Sequence, residues 1–366
     1  MTATRIVLCI VRCLVAATFI ASVALAQNPS ATLLVLAKSD NTVAIVDPAT
    51  LQVLARIASG PDPHEIIASD DGKLAYISNY GGLDSTLNTI SVVDLVARKA
   101  LPPIDLGALR STHGLDFAGG KLYFTAETNK VIGRYDPASQ RVDWILGTGQ
   151  DRTHMIAVSK NLDQIVTSNV NSGTISMIEY VSGPTGGFRP PPSGSPSGTP
   201  PQGPGAPPGS PRKTWEVTNI PAGNGVEGFD LSPDGKEIWA ANARDGTVTI
   251  IDVATKKAIQ TLPIAVKGAN RLKFTVDGKR VLISGLGAGS GGISLVVMDA
   301  SARKEVKQLN LGGGAAGILI APNGSRAYVA VSTNDKVAVV DLKTLEVVGQ
   351  ISAGKQPDGL AWAVRK

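Results

Sequence analysis

Cysteine is almost missing from this chain of 366 residues: there are two, Cys9 and Cys13, and both lie in the N-terminal segment. That segment has the form of an export leader. Arg5 and Arg12 give it a positive start, Cys13 to Leu25 is an apolar core, and Ala24-Leu25-Ala26 is a small-x-small cleavage site before Gln27. The apolar run is shorter than the roughly 20 residues a membrane-spanning helix needs. Residues 1–26 are therefore expected to be a cleaved signal peptide, and the mature protein to be periplasmic or secreted with no membrane anchor. A mature chain without cysteine has no disulfide, no thiolate metal site and no cysteine nucleophile.

Aromatic residues are scarce, at 4%, and histidine is limited to three positions. No G-x-S-x-G elbow occurs, which removes that route to a serine hydrolase. Neither sign of charge dominates. The 35 basic residues, less Arg5 and Arg12, leave 33 against 30 acidic ones, so the leaderless chain carries +3. The basic pairs Lys256-Lys257, Lys279-Arg280 and Arg303-Lys304 are scattered and have few aromatics beside them, which argues against a nucleic-acid partner.

What the chain does have is glycine (40) and proline (23), a composition suited to many short strands and turns. The segment Val226 to Asp252 shows how they are used: an alternating strand VEGFDLS, a PDGK turn, a second strand EIWAAN and a third, GTVTIID. The acid closing the third strand recurs as Asp47, Asp94, Asp136, Glu179, Asp252, Asp299 and Asp341, with gaps of 47, 42, 43, 73, 47 and 42. A fourth strand follows each marker. Four strands in a period near 43 predict an all-β, seven-bladed β-propeller of four-stranded antiparallel blades, one domain over residues 27–366.

The chain begins in mid-repeat with ATLLVLAKSDNTVAIVD and ends on QPDGLAWAV, a first strand without partners. The two ends are expected to complete one blade and close the ring. Asp71-Gly72, Asp234-Gly235, Asp277-Gly278 and Asn323-Gly324 are expected to make two-residue hairpins between first and second strands. The outlying gap of 73 contains a Pro/Gly/Ser-rich stretch, residues 183–211, which is expected to be a disordered loop between a third and a fourth strand. A docking role for its prolines is the alternative.

Segments such as PHEIIASDDGKLAYISN (Pro63 to Asn79), LSPDGKEIWAAN (Leu231 to Asn242) and APNGSRAYVA (Ala321 to Ala330), with NTVAIVD and KVAVVD, resemble the repeat of the YVTN family of bacterial, exported β-propellers. FAGGKLYFTAE and FTVDGKRVLISG depart from that repeat. The resemblance covers nearly all of the mature chain and implies the fold. It says little about activity, because propellers host binding, scaffolding and several enzymatic functions.

Aligning the repeats brings all three histidines to one position, early in the first strand. Around the ring the equivalents are Asp358, His64, His113, His154, Glu227, Asn270 and Ala316. His64, His113, His154, Glu227 and Asp358 are thus candidate ligands for a divalent transition metal at one mouth of the central channel. The structural alternative is a histidine that bonds backbone between blades. Neighbouring side chains are expected to meet, and opposite ones not to meet easily, across a ring with a radius on the order of 10 Å.

Asn79, Asn169 and Asn242 end second strands on the same side and are expected to bond the turning backbone. Asn79, Asn242 and Asn270, with Arg110, Arg152 and Arg271, are the candidate ligand-binding residues. Gly287, Gly289 and Gly292 satisfy G-x-G-x-x-G but precede a strand rather than a helix, which excludes a dinucleotide site. The function expected is a binding or interaction module, monomeric, with a protein or small-molecule partner at the channel mouth. The alternative is a metal-dependent hydrolase or lyase of lactonase type using the His64/His113/His154 arc.

Overall fold

The computed structural model describes residues 31–82, 85–182 and 213–366. Residues 1–26, expected to be a signal peptide, and the Pro/Gly/Ser-rich stretch 183–211 fall outside them. The described residues form seven four-stranded antiparallel sheets arranged as the blades of a propeller. Blade 2 is Pro63–Ala68, Leu74–Asn79, Thr89–Asp94 and Lys99–Asp105, from the innermost strand outward. Blade 3 is Thr112–Ala118, Lys121–Ala126, Val131–Asp136 and Arg141–Gly147; blade 4 is Thr153–Val158, Gln164–Asn169, Thr174–Ser182 and Lys213–Pro221. Blade 5 begins with Val226–Leu231, blade 6 with Ala269–Phe274 and blade 7 with Ile318–Ile320. Blade 1 closes the ring: the C-terminal strand Pro357–Val364 pairs with the N-terminal strand Ala31–Ala37, from Ala31 with Val364 to Ala37 with Pro357. Apart from a single 3-10 turn at Ser332–Asn334, the described residues contain no helix.

Each blade has its apolar side chains on both faces, so the core is divided among the seven blade interfaces rather than gathered at a centre. Leu34, Leu36 and Ile45 of blade 1 meet Ile66, Ile77 and Val93 of blade 2. Tyr76 and Ile90 of blade 2 meet Leu122 and Phe124 of blade 3, and the pattern continues to Tyr328 and Val339 of blade 7 against Leu33 and Val35 of blade 1. Burying each Leu, Ile or Val in these clusters contributes about 1.5–3 kcal/mol. The fourth strands alternate exposed and half-buried residues, as in Arg141–Gly147, because they are the outer edges of the blades.

The hairpins differ from expectation. Gly72, Gly235, Gly278 and Gly324 have φ near +70°, but the Asp or Asn before each does not. A two-residue type I′ loop needs positive φ at both positions. The turns instead run through four residues, with the Gly72 N–H donating to the Ser69 carbonyl at 2.8 Å and the Asp71 carboxylate accepting from Ser69 Oγ at 2.7 Å. In blade 4 the third and fourth strands stay paired as far as Ser182 with Lys213, so the chain between them leaves and returns at one point of the blade.

Candidate functional site

The mouth of the channel is built by an irregularity at the start of the inner strands. In blades 2, 3, 4, 5 and 6 the register with the second strand shifts just after the first pair: Pro63 faces Asn79, but Ile66 faces Ile77. One extra residue on the inner strand is a β-bulge, which re-aims the side chain beside it. The residue so displaced is His64, His113, His154, Glu227 or Asn270.

A hydroxyl near the end of the second strand holds the bulge. Thr125 Oγ1 accepts from the Gly114 N–H at 2.9 Å and donates to the His154 carbonyl of the next blade at 2.9 Å. Ser168 accepts from Met155 N–H at 3.2 Å and donates to the Glu227 carbonyl at 2.6 Å. The inner strands of blades 4 and 5 are thereby tied to the preceding blade at the ring residue itself.

These side chains line a cup of about 200 Å³, together with Lys38, Arg152, Arg271, Leu286, Ala316, Ser332, Gln356 and Asp358. Successive members of the predicted arc touch. His64 Nδ1 is 3.6 Å from Asp358 Oδ2, and its Nε2 is 3.2 Å from Asp62 Oδ1. The rings of His64 and His113 meet edge-on at 5.0 Å, and those of His113 and His154 lie 3.6 Å apart at 32°. His154 Nε2 is 2.9 Å from Glu227 Oε2.

Glu127 completes the cluster and was not among the candidates. It is 1% exposed, just past the second strand of blade 3, and its carboxylate pairs with His154 Nδ1. Its other oxygen accepts from Tyr80 Oη at 2.7 Å and lies 3.5 Å from Arg152 Nε. Tyr80 and Lys38 occupy the equivalent place, one residue past a second strand. The repeat places all three at one position, but their contacts with the histidines come from the tertiary structure.

Burial works against a charge on both inner histidines, with opposite outcomes. His113 is pushed well below the ordinary imidazole value by burial and by the charges of His154, His64, Arg271 and Arg152. In His154 the carboxylates of Glu227 and Glu127 outweigh burial and raise the pKa. Burial alone would raise Glu227, but His154, Arg152 and Arg271 bring it down to about 2. Tyr80 is raised by burial and by the Glu127 carboxylate.

Opposite blades do meet across the channel, contrary to expectation. Arg271 Nη2 of blade 6 lies 2.6 Å from Glu65 Oε1 of blade 2, with both side chains at most 15% exposed. Two long side chains together span what single short ones cannot. Arg271 also donates to Asn270 Oδ1 at 3.1 Å, and Arg152 donates to Glu227 at 3.1 Å, so these candidates share the cup.

Asn79 and Asn242 do not line the cup. Both are buried within their blades, where their amides reach third-strand hydroxyls: Thr89 and Ser91 from Asn79, Thr247 and Thr249 from Asn242. Asn169 does the same with Thr174 and Ser176. Hydroxyls one strand away, rather than the turn backbone, are their main partners. Arg110 is exposed on a loop outside the cup, its N–H bonded to Asn129 Oδ1. Of the predicted metal ligands, His113 and His154 share a tight group, their donor atoms and that of Glu127 all lying within 4.8 Å of one another. His64, Glu227 and Asp358 stand around that group.

No family model matches the chain, and no curated protein matches it. Solved structures do, over nearly the whole length. A functionally unknown protein from Desulfotomaculum acetoxidans aligns with 12% identity and a TM-score of 0.69 over 92% of this chain and 99% of its own. A candidate 6-phosphogluconolactonase from Bacteroides uniformis aligns with 14% identity and a TM-score of 0.67 over 91% and 99%. A chain of Kuenenia stuttgartiensis hydrazine synthase aligns with 16% identity and a TM-score of 0.61 over 82% and 89%. At such identities the likeness is one of fold, the seven-bladed β-propeller.

Proposed function

We propose that the protein is an exported, monomeric β-propeller of the YVTN-repeat type that binds a small polar ligand in the cup at its channel mouth. The observation that carries this reading is the concentration of buried charge at one repeat position. Charge occurs on the inner strands below the mouth as well, at Asp116 and in the Lys273–Asp230 pair, but at the mouth histidines and acids from successive blades converge on one cavity, where their burial costs stability. A cup of about 200 Å³ lies below the roughly 300–1,000 Å³ typical of pockets for drug-sized molecules, so the ligand is small. Lys38, Arg152 and Arg271 offer donors to it, and Glu227 and Asp358 offer acceptors. The exposed rim, with Arg110 and Leu286, would meet a larger partner.

The test is a calorimetric and thermal-shift screen of the leaderless protein against small carboxylates, sugar acids, sugar lactones and divalent metals. The reading predicts saturable binding that is weakened at least tenfold by Asp358→Asn or Arg152→Gln. A screen with no saturable binder, or binding untouched by both substitutions, would remove it. A second reading, a metal-dependent hydrolase or lyase of lactonase type, draws on the histidine-carboxylate pairs and on the Bacteroides neighbour. There one histidine would act as general base, oriented by Glu227 or Asp358. Acid release from a sugar lactone, lost in His154→Ala, would favour that reading over simple binding.

A further inference from the structure

The sequence places a candidate metal site along the inner-strand arc. The structure relocates it towards the second strand of blade 3. We propose that His113, Glu127 and His154 bind one divalent transition-metal ion, with His154 oriented from behind by Glu227. This deepens, and rests on, the reading of the channel mouth as a binding site.

The donor atoms are already gathered. One from each residue lies within 4.8 Å of the others, and the three residues are at most 2% exposed. His113 Nδ1 is buried with no hydrogen-bond partner, an arrangement that native interiors seldom leave uncompensated. A metal ion would take the lone pair of a neutral imidazole at that atom.

The neighbouring groups are placed as a metal site requires. Histidine ligands usually bond a carboxylate through their second ring nitrogen, which fixes tautomer and orientation. His154 does so through Nε2, 2.9 Å from Glu227, which leaves Nδ1 facing Glu127. Glu127 in turn has one oxygen held by Tyr80 at 2.7 Å, which leaves the other facing His154 Nδ1.

The charges agree. Among the described residues, the carboxylates of Asp62, Glu65, Glu127, Glu227 and Asp358 outnumber the Lys38, Arg152 and Arg271 cations that pair with them. The surroundings of the three donors are thus rich in negative charge, which favours a bound cation. Two imidazoles and a carboxylate suit zinc, copper, nickel, cobalt or iron rather than calcium or magnesium, which prefer all-oxygen sites. His113 and His154 also line the cup, so a further coordination position would open towards a ligand there.

The experiment uses the leaderless chain, purified without a histidine tag, stripped with chelator and titrated with Zn²⁺ and Co²⁺ by calorimetry and visible absorption. One equivalent is expected to bind, with Co²⁺ showing the absorption bands of a low-coordinate nitrogen-oxygen site. His113→Gln and Glu127→Gln are each expected to weaken binding at least 100-fold, and Glu227→Gln 10–100-fold, the usual range for an orienting partner. Lys73→Ala, on an exposed hairpin turn, serves as the control. Melting curves of the metal-free variants separate lost binding from lost folding, and the Co²⁺ spectrum of the milder Glu227→Gln variant reports the site if the others unfold.

Absence of stoichiometric binding by the native chain would overturn the proposal. So would binding that survives both His113→Gln and Glu127→Gln but is abolished by His64→Ala. Binding of a small organic ligand to the chelator-stripped protein would preserve the cup reading even if the metal fails.

Discussion

At the scale of single residues, the pair that joins opposite blades across the channel is Arg271 and Glu65. Each belongs to a different blade and each is nearly buried, so neither can lose its partner and be solvated in compensation. Arg271→Met is expected to cost about 3–5 kcal/mol by leaving Glu65 unpaired in the channel, whereas Arg271→Met with Glu65→Leu should cost clearly less than the two single changes added. Urea unfolding of the double-mutant cycle measures this, and strict additivity would mean that the contact contributes nothing. Glu227 makes the complementary point: flanked by His154, Arg152 and Arg271, it remains ionised down to about pH 2 and so keeps its negative charge for His154 throughout the physiological range.

At the scale of the element, the inner-strand bulge depends on close backbone approach between blades. A Cβ added at Gly317 would lie 2.2 Å from the Asp358 carbonyl oxygen, and one at Gly114 would lie 2.4 Å from that of His154. Gly317→Ala is expected to cost about 1–3 kcal/mol or more in urea unfolding. Gly147→Ala, which meets nothing within 4 Å, should stay within about 0.5 kcal/mol. The aspartates that mark the repeat are the second local device. Asp252, Asp299 and Asp341 each accept a backbone N–H two or three residues on, in the turn leaving the third strand.

Their hydrogen bonds lower the pKa in all three, chiefly the Thr255 side chain for Asp252, the Ala302 N–H for Asp299 and the Thr344 N–H for Asp341. In Asp136 the Lys121 side chain and the Ala138 N–H bring it to about 2. A carboxylate lowered on folding stabilises the native state above its unfolded value of about 3.8, and that contribution is lost as the pH falls towards the folded value. The melting temperature should therefore drop between pH 4 and pH 2. The drop should shrink when these aspartates are changed together to Asn, as thermal melts across that range would record.

At the scale of the whole molecule, stability depends on an unbroken ring, because each interface has its own apolar cluster and no blade buries both faces without two neighbours. Removing Pro357 to Lys366 would strip the inner strand from blade 1 and uncover Leu33, Leu34 and Val35, which are fully buried in the intact ring. Such a truncation is expected to abolish the cooperative melt and leave an aggregating chain, observable by scanning calorimetry and size-exclusion chromatography.

The sequence by itself determined the blade count, the strand order, the closure and the ring position of the histidines, because a strand repeat is a local pattern of alternating apolar residues and turn acids that recurs at fixed spacing. It also identified His64, His113, His154, Glu227, Asp358, Asn270, Arg152 and Arg271, all of which the structure gathers in one cup. Only the tertiary structure brought Glu127 and Tyr80 into that cluster, put Asn79 and Asn242 inside their blades, left Arg110 on the surface, and joined Arg271 to Glu65 across the channel. A repeat alignment states where a residue sits within its blade. How far its side chain reaches, and what it meets, depends on the bulges and on chain segments more than two hundred residues apart, as Arg271 and Glu65 are.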